Sequence, residues 1–318
     1  MKKFIALMMT LCLALSLAAC AVAEDAINVY ALKGPTGIGL VKVMNDNDGT
    51  YAFTLAGAPD EVVAAVVSGN AQIAAVPTNL AATLYNKTNG GVQLVALNTL
   101  GVLHIVTSDP EFDSLDDLKG KTLWATGQGS TPEYVINYIL EAAGLADEVT
   151  VEYKAEHAEL ATLAAAGSVD VALLPEPHVT SVLNQNKDFR IALDVTELFN
   201  QYSAEKGENA VLSMGSVIVN KAWAERNPDK LAAFMDAYAA SVEFVNTEVD
   251  AASQMVEAQG IIPKAAVAKK AIPNCHIVFI AGEEMKAQIA PFFQVLFNAN
   301  PKSVGGQLPG EDFYYIVK

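Results

Sequence analysis

One alternation constrains this chain more than any other feature: short apolar runs end in glycine- or proline-bearing turns and lead into amphipathic stretches, unit after unit. Residues 27–32 read as a buried strand, Lys33-Gly34-Pro35-Thr36-Gly37 breaks it, and Ile38, Leu40, Val41 and Met44 form the apolar face of a helix. The unit recurs as strand 51–55, helix 59–68 opened by Pro59, strand 71–76, helix 78–85 and strand 92–97. This spacing predicts α/β architecture with a mostly parallel sheet covered by helices on both faces.

A second series follows the polar run 114–121, with strand 122–125, the turn Thr126-Gly127-Gln128-Gly129 and helix 132–143. Strand 149–153, helix 156–166, strand 169–174, a helix from His178 and strand 189–193 complete it. Two β-rich runs, 102–107 and 211–219, lie between the series and suit crossover strands. Past Lys221 the pattern turns helical, with Asn227-Pro228-Asp229 capping a long helix toward Val245. The expected division is a first lobe of 25–106 plus 214–318, onto which the C-terminal helices pack, and a second lobe of 107–213.

Lys2 and Lys3 precede an apolar run, residues 4–19, that is short for a bilayer span and reads as a signal peptide over 1–20. Leu17-Ala18-Ala19-Cys20 has the small-residue pattern before a cysteine that resembles a bacterial lipobox, which would lipidate Cys20 and tether an exported chain. Cleavage after Ala21-Val22-Ala23 is the competing reading and would release it instead. With Cys12 in the discarded segment and Cys20 lipidated, Cys275 is left alone and no internal disulfide is possible.

Loss of Lys2 and Lys3 leaves 18 basic side chains against 36 acidic ones, a net charge of −18. That balance excludes nucleic acid as a partner and argues against direct binding to anionic lipid, so the membrane is reached through the lipid anchor alone. His104, His157, His178 and His276 are scattered and form no zinc-type pair, so neither a metal nor a cofactor is expected; they read as structural or as single pocket donors.

The order of parts resembles the solute-binding proteins of ABC importers for nitrate, sulfonates, taurine and thiamine-pyrimidine precursors. Four segments carry the likeness: Gly34-Pro35-Thr36-Gly37, Ser114-Leu115-Asp116-Asp117-Leu118-Lys119-Gly120-Lys121, Thr126 through Tyr134, and Val169 through Pro177 with its Glu176-Pro177 pair. The resemblance implies a two-lobed periplasmic-binding-protein-like fold of type II. Two hinge strands join the lobes, which close on a small molecule for delivery to a permease and ATPase. The chain is then expected to act outside the cytoplasmic membrane or in the periplasm, as a monomer.

The candidate ligand-binding residues stand where strands end and helices begin. Thr36 and Gly37 offer a helix start and a close backbone approach, or the turn simply needs glycine. Thr78 and Asn79 either face the ligand or cap their helix. Of Ser130 and Thr131, ahead of Pro132, one hydroxyl caps and the other is free. A ligand oxygen at each such start would gain about 0.3–1 kcal/mol. Glu176, held between two prolines, accepts from a ligand amine or is a solvated loop acid. His104 is a further donor, and Trp124 is a stacking face or core.

Arg190 and Arg226 are the only arginines and neither falls near these loops, which favours an uncharged or amine-bearing ring such as a pyrimidine precursor over nitrate or sulfonate. The rival class is an enzyme, since pyrimidine synthases resemble this family. Their cysteine-rich cluster is absent, as are G-x-S-x-G, phosphate-loop and H-E-x-x-H patterns, and the expectation is a binding protein without catalysis. A ligand-sensing subunit of a membrane receptor fits the same sequence.

Overall fold

A computed structural model describes residues 26–208 and 210–316. The signal segment and Cys20 lie outside the described residues. The expected alternation is present as two mixed sheets. The first contains β1 (Ile27–Leu32), β2 (Tyr51–Ala56), β3 (Ile73–Pro77), β4 (Val92–Leu100), β10 (Ser213–Asn220) and β11 (Ile277–Ala281), in the order β11-β4-β10-β3-β1-β2. The second contains β5 (Leu103–Thr107), β6 (Thr122–Thr126), β7 (Thr150–Lys154), β8 (Val171–Pro175) and β9 (Arg190–Asp194), in the order β7-β6-β8-β5-β9.

The expectation of mostly parallel sheets is corrected. Only β2-β1-β3 and β7-β6-β8 are parallel. β10 runs antiparallel between β3 and β4, and β5 runs antiparallel between β8 and β9. The reason is the double crossing: a strand arriving from the other lobe enters against the direction of the βαβ units already there. β5, read from sequence as the end of the first lobe, therefore pairs wholly in the second sheet.

The parallel strands all lie within about two residues of where the sequence places them. β3 and β8 are buried along nearly their whole length because helices cover both faces, so each is a continuous apolar run. Pro59, Pro132 and Pro228 each open a helix, where a missing N–H costs nothing and φ is preset. Asn227 does not cap as expected: its amide donates backward to the Trp223 carbonyl at 2.8 Å. Sequence reading missed helix Val195–Glu205, whose start is instead capped by Asp194 accepting from the Thr196 and Glu197 amides.

The helices Pro228–Thr247 and Val249–Ala258 cover one face of the first sheet, with Phe234, Tyr238 and Val245 buried against Val29, Ile38 and Val217. Helix Gly282–Ala299 covers the other face and reaches the second lobe, where Phe292 meets Phe199 edge-on at 5.6 Å. The largest core is accordingly continuous through both lobes, from Leu94 and Phe292 to Ile105, Ile136 and Phe199. No described helix is long and apolar enough to cross a membrane.

Candidate functional site

Six strand-to-helix junctions meet in one cavity. Those following β1, β2 and β3 bring Lys33 to Thr36, Gly57 to Pro59, and Pro77 from the first lobe. Those following β6, β7 and β8 bring Gly127, Ser130 and Pro132, then Ala155 to His157, then Pro175 to His178 from the second. Val102 and Met214, at the two crossings, close its floor. The space between protein atoms is about 840 Å³, part of it open to solvent. This is where parallel α/β strands must place a ligand, because their carboxyl ends leave a crevice ringed by helix starts.

Of the sequence candidates, Thr36, Ser130 and Glu176 line the cavity. The Thr36 hydroxyl donates to the Leu32 carbonyl at 3.1 Å, and the Ser130 hydroxyl donates to the Gly127 carbonyl at 2.7 Å. Each hydroxyl oxygen keeps lone pairs with which it can accept a further hydrogen bond. Gly37 lies behind the wall: a Cβ there would stand 2.6 Å from the Leu32 carbonyl oxygen, so glycine serves the tight return onto β1.

Thr78, Asn79 and Thr131 are fully enclosed and have found protein partners. The Thr78 hydroxyl pairs with that of Ser213 at 2.9 Å. Asn79 does neither of the things expected of it. Its amide donates to the Ser303 carbonyl at 3.1 Å in its own lobe and to the Gly129 carbonyl at 3.4 Å across the cleft. Its oxygen accepts from the Thr131 hydroxyl at 3.2 Å, so the pair joins the lobes. His104 lies on β5 away from the cavity, 3.9 Å from Asp194, and burial holds its imidazole below the usual range. Trp124 packs on the small core of the second lobe with the Lys154 ammonium over its ring.

Glu176 is 2 % exposed, and the alternative of a solvated loop acid is corrected. Its two oxygens accept from the Thr180 amide and hydroxyl, each at 3.0 Å, so the carboxylate caps the helix His178–Gln185 that it precedes. Burial raises its pKa; the Thr180 bonds, Asn274 and His276 oppose that rise.

His157 and His178, read from sequence as structural or as single pocket donors, stand together as a pair in the cavity wall. Each is the first residue of its helix, both line the cavity, and their rings lie 5.4 Å apart at 42°. Each ring is half-buried and lines the cavity. Loss of solvation therefore lowers His157 to about 4 and, with His157 adding to it, His178 to about 3. His157 Nδ1 also meets the Thr126 hydroxyl at 2.5 Å. Their position immediately after strand ends was the available signal, the same one used for Thr36 and Ser130. Among the described residues no three His, Cys, Asp or Glu side chains are placed to hold a metal ion. Cys275 is buried with its thiol pushed up, and Arg190 is spent on the carbonyls of Asp109, Pro110 and Phe112.

Two α/β lobes crossed twice by the chain, with one cavity at their facing strand ends, define a bilobal solute-binding protein. Residues 50–263 match the family described as "ABC transporter, phosphonate, periplasmic substrate-binding protein", and the chain belongs to that family. It is thus the substrate-binding component of an ABC import system, exported like its class, and that class binds without catalysing. No curated protein sequence matches the chain. Among solved structures, an ABC transporter protein from Parabacteroides distasonis is similar over 93% of this chain and 100% of its own, at 25% identity and TM-score 0.77. The periplasmic aliphatic sulphonate binding protein SsuA from Escherichia coli is 15% identical over 89% of this chain and 96% of its own, TM-score 0.70. The periplasmic nitrate-binding protein NrtA from Synechocystis is 12% identical over 83% and 75%, TM-score 0.58. The last two establish likeness of fold alone.

Proposed function

We propose that this chain captures a small organic molecule, an uncharged or amine-bearing ring of the pyrimidine-precursor kind, between its lobes and hands it to an ABC permease and ATPase. It does so as a monomer tethered through lipid on Cys20 at the outer face of the cytoplasmic membrane or in the periplasm. The observation that carries the reading is the cavity wall: Glu176 and Glu156 with two neutral imidazoles, and Lys33 as its one cationic side chain among the described residues. A ligand touching both walls binds the closed arrangement best and so shifts the lobes toward it, which an importer can read.

A second reading, an oxyanion such as sulfonate or nitrate, draws on a specific feature. The helices starting after Ala58, Ser130 and Glu156 have no side chain hydrogen-bonded at their caps, so their amides suit an acceptor. A melting screen over pyrimidines, amines, sulfonates and nitrate separates the two. At about one hundred times its dissociation constant a true ligand adds about 2.7 kcal/mol, a rise of roughly 5–10 °C. No shift with any compound would sink the capture role, and turnover of a hit would make the chain an enzyme. The tether is checked by fractionating cells: Cys20→Ser should leave the membrane fraction, and an unchanged distribution refutes lipidation.

A further inference from the structure

We infer that Lys270 and Asn274 of the first lobe are positioning residues for capture: from outside the cavity they hold the second lobe's helix His178–Gln185, and with it part of the cavity wall, in the closed arrangement. The inference rests on the capture role proposed above and names residues that set affinity without touching the ligand.

The helix His178–Gln185 belongs to the cavity and to the boundary between the lobes at once. Its first residue lines the cavity together with Glu176 and Pro177 before it, and Val179 and Val182 are buried in the small core of the second lobe. It also packs against helix Ala265–Ala271, whose Ala268 and Ala271 belong to the core of the first lobe. Two polar contacts span that boundary. Near the end of the helix the Lys270 ammonium donates to the Asn184 side-chain oxygen at 2.8 Å. Just ahead of its start the Asn274 side-chain amide reaches the Glu176 carboxylate, which also accepts from the Thr180 amide and hydroxyl. Lys269, the neighbouring ammonium, is paired instead with Asp250 in its own lobe.

Neither Asn184, Lys270 nor Asn274 lines the cavity. Asn184 stands about 9 Å along the helix from His178, at 1.5 Å per residue. A helix this short moves as a unit, so a contact at either end fixes where His178 and Glu176 stand relative to Lys33 and Thr36 in the facing wall. Both contacts need the lobes together. They therefore favour the closed arrangement alone, and a ligand that must touch both walls binds in proportion to the closed fraction.

The test measures lobe separation by pulsed electron paramagnetic resonance on the full chain in detergent, with spin labels on Glu61→Cys and Glu159→Cys. Both positions are exposed, one on each lobe, and the buried Cys275 stays unlabelled. Asn184→Lys sets two ammoniums against each other, and Asn274→Asp sets a carboxylate against Glu176. Each should raise the ratio of open to closed molecules about two- to fivefold, the range of an exposed charged pair, and the double variant should raise it further. Adding Lys270→Asn to Asn184→Lys restores the pair with its ends exchanged and should return the wild-type distances. Lys270→Ala, which brings in no new charge, covers the case in which a charged variant disturbs folding. In calorimetry with methylphosphonate and with aminopyrimidine, a probe that binds the wild type should lose affinity in step with the closed fraction. Unchanged distances in the double variant overturn the inference and leave capture intact. So does an affinity loss without a change in distance, or an exchange that fails to restore. If neither probe gives heat, the distances alone decide the inference, and capture is judged by the wider melting screen.

Discussion

The two walls of the cleft are made from the same parts and do different things. The first lobe presents Gly34, Pro35, Gly57, Ala58, Pro59 and Pro77, with Lys33 its only ionisable side chain in the wall. The second presents Glu156, His157, Glu176 and His178 at equivalent strand ends. Proline and glycine fix backbone shape and add little chemistry, whereas imidazole and carboxylate add chemistry whose state depends on solvation. The first lobe's wall is thus mostly a mould, with Lys33 and the Thr36 and Thr99 hydroxyls as its polar side chains, and the second carries most of the cavity's ionisable groups. Changes in the second wall should alter stability and pH response as well as binding, because Glu176 is buried and the two histidines are half-buried.

The largest effect that would break this contrast is in acid. His157 and His178 are lowered on folding, so their contribution is complete above the ordinary histidine value near 6.5 and is lost as pH falls toward about 4 and about 3. By linkage this is worth at most on the order of 3 kcal/mol for His157 and on the order of 5 kcal/mol for His178. Glu176 has the opposite sign, since its pKa is raised: its contribution is present below the ordinary carboxylate value and fades as pH rises. Across the range from about pH 6.5 to about pH 4 the histidines dominate and the protein should lose stability. The His157→Gln, His178→Gln double variant should show a shallower fall in melting temperature than the wild type. Parallel curves would mean that the second wall is no more solvation-sensitive than the first.

Next in size is Glu176. Its carboxylate holds the Thr180 amide and hydroxyl inside the protein, so Glu176→Gln should cost about 1.5–3 kcal/mol by denaturant unfolding without any ligand, and Glu176→Ala more. A charge-assisted cap is lost in the first case and a buried N–H is orphaned in the second. Equivalent changes in the mould, such as Thr36→Val, remove only a neutral hydroxyl bond and should cost about 1 kcal/mol or less. If Glu176→Gln melts like the wild type, the residue faces ligand and not Thr180.

Most of the strand and helix order was legible in the sequence because each βαβ unit announces itself locally, by an apolar run and a glycine or proline. Sheet direction was not, since the antiparallel insertion of β5 and β10 depends on where the chain crosses between lobes, a fact of tertiary topology. The site was half legible. Thr36, Ser130 and Glu176 were found by position after a strand. His157 and His178 read as structural or as single pocket donors and not as a pair, because a ring pair made by two separate helices has no spacing to read. Asn79 and Thr131 look like caps in sequence; their pairing exists only when the lobes meet.

That pairing gives the smallest test of the contrast, at a place where polar side chains of the two lobes meet. The Thr131 hydroxyl donates to the Asn79 side-chain oxygen, and the Asn79 amide also reaches the Gly129 carbonyl, so both lobes bury polar groups that only the other lobe satisfies. Asn79→Ala alone is ambiguous, because it also removes the bond to the Ser303 carbonyl inside the first lobe. Thr131→Val keeps shape and deletes the hydroxyl. A double-mutant cycle of the two, measured by denaturant unfolding, should give a coupling of about 0.5–1.5 kcal/mol, the net value of one buried hydrogen bond. Small-angle scattering on Thr131→Val should show a larger radius of gyration than the wild type, as lobes freed of the bond spend more time apart. A coupling near zero with unchanged scattering would mean that contacts other than this pair, such as the shared core around Phe199 and Phe292, set the lobe spacing.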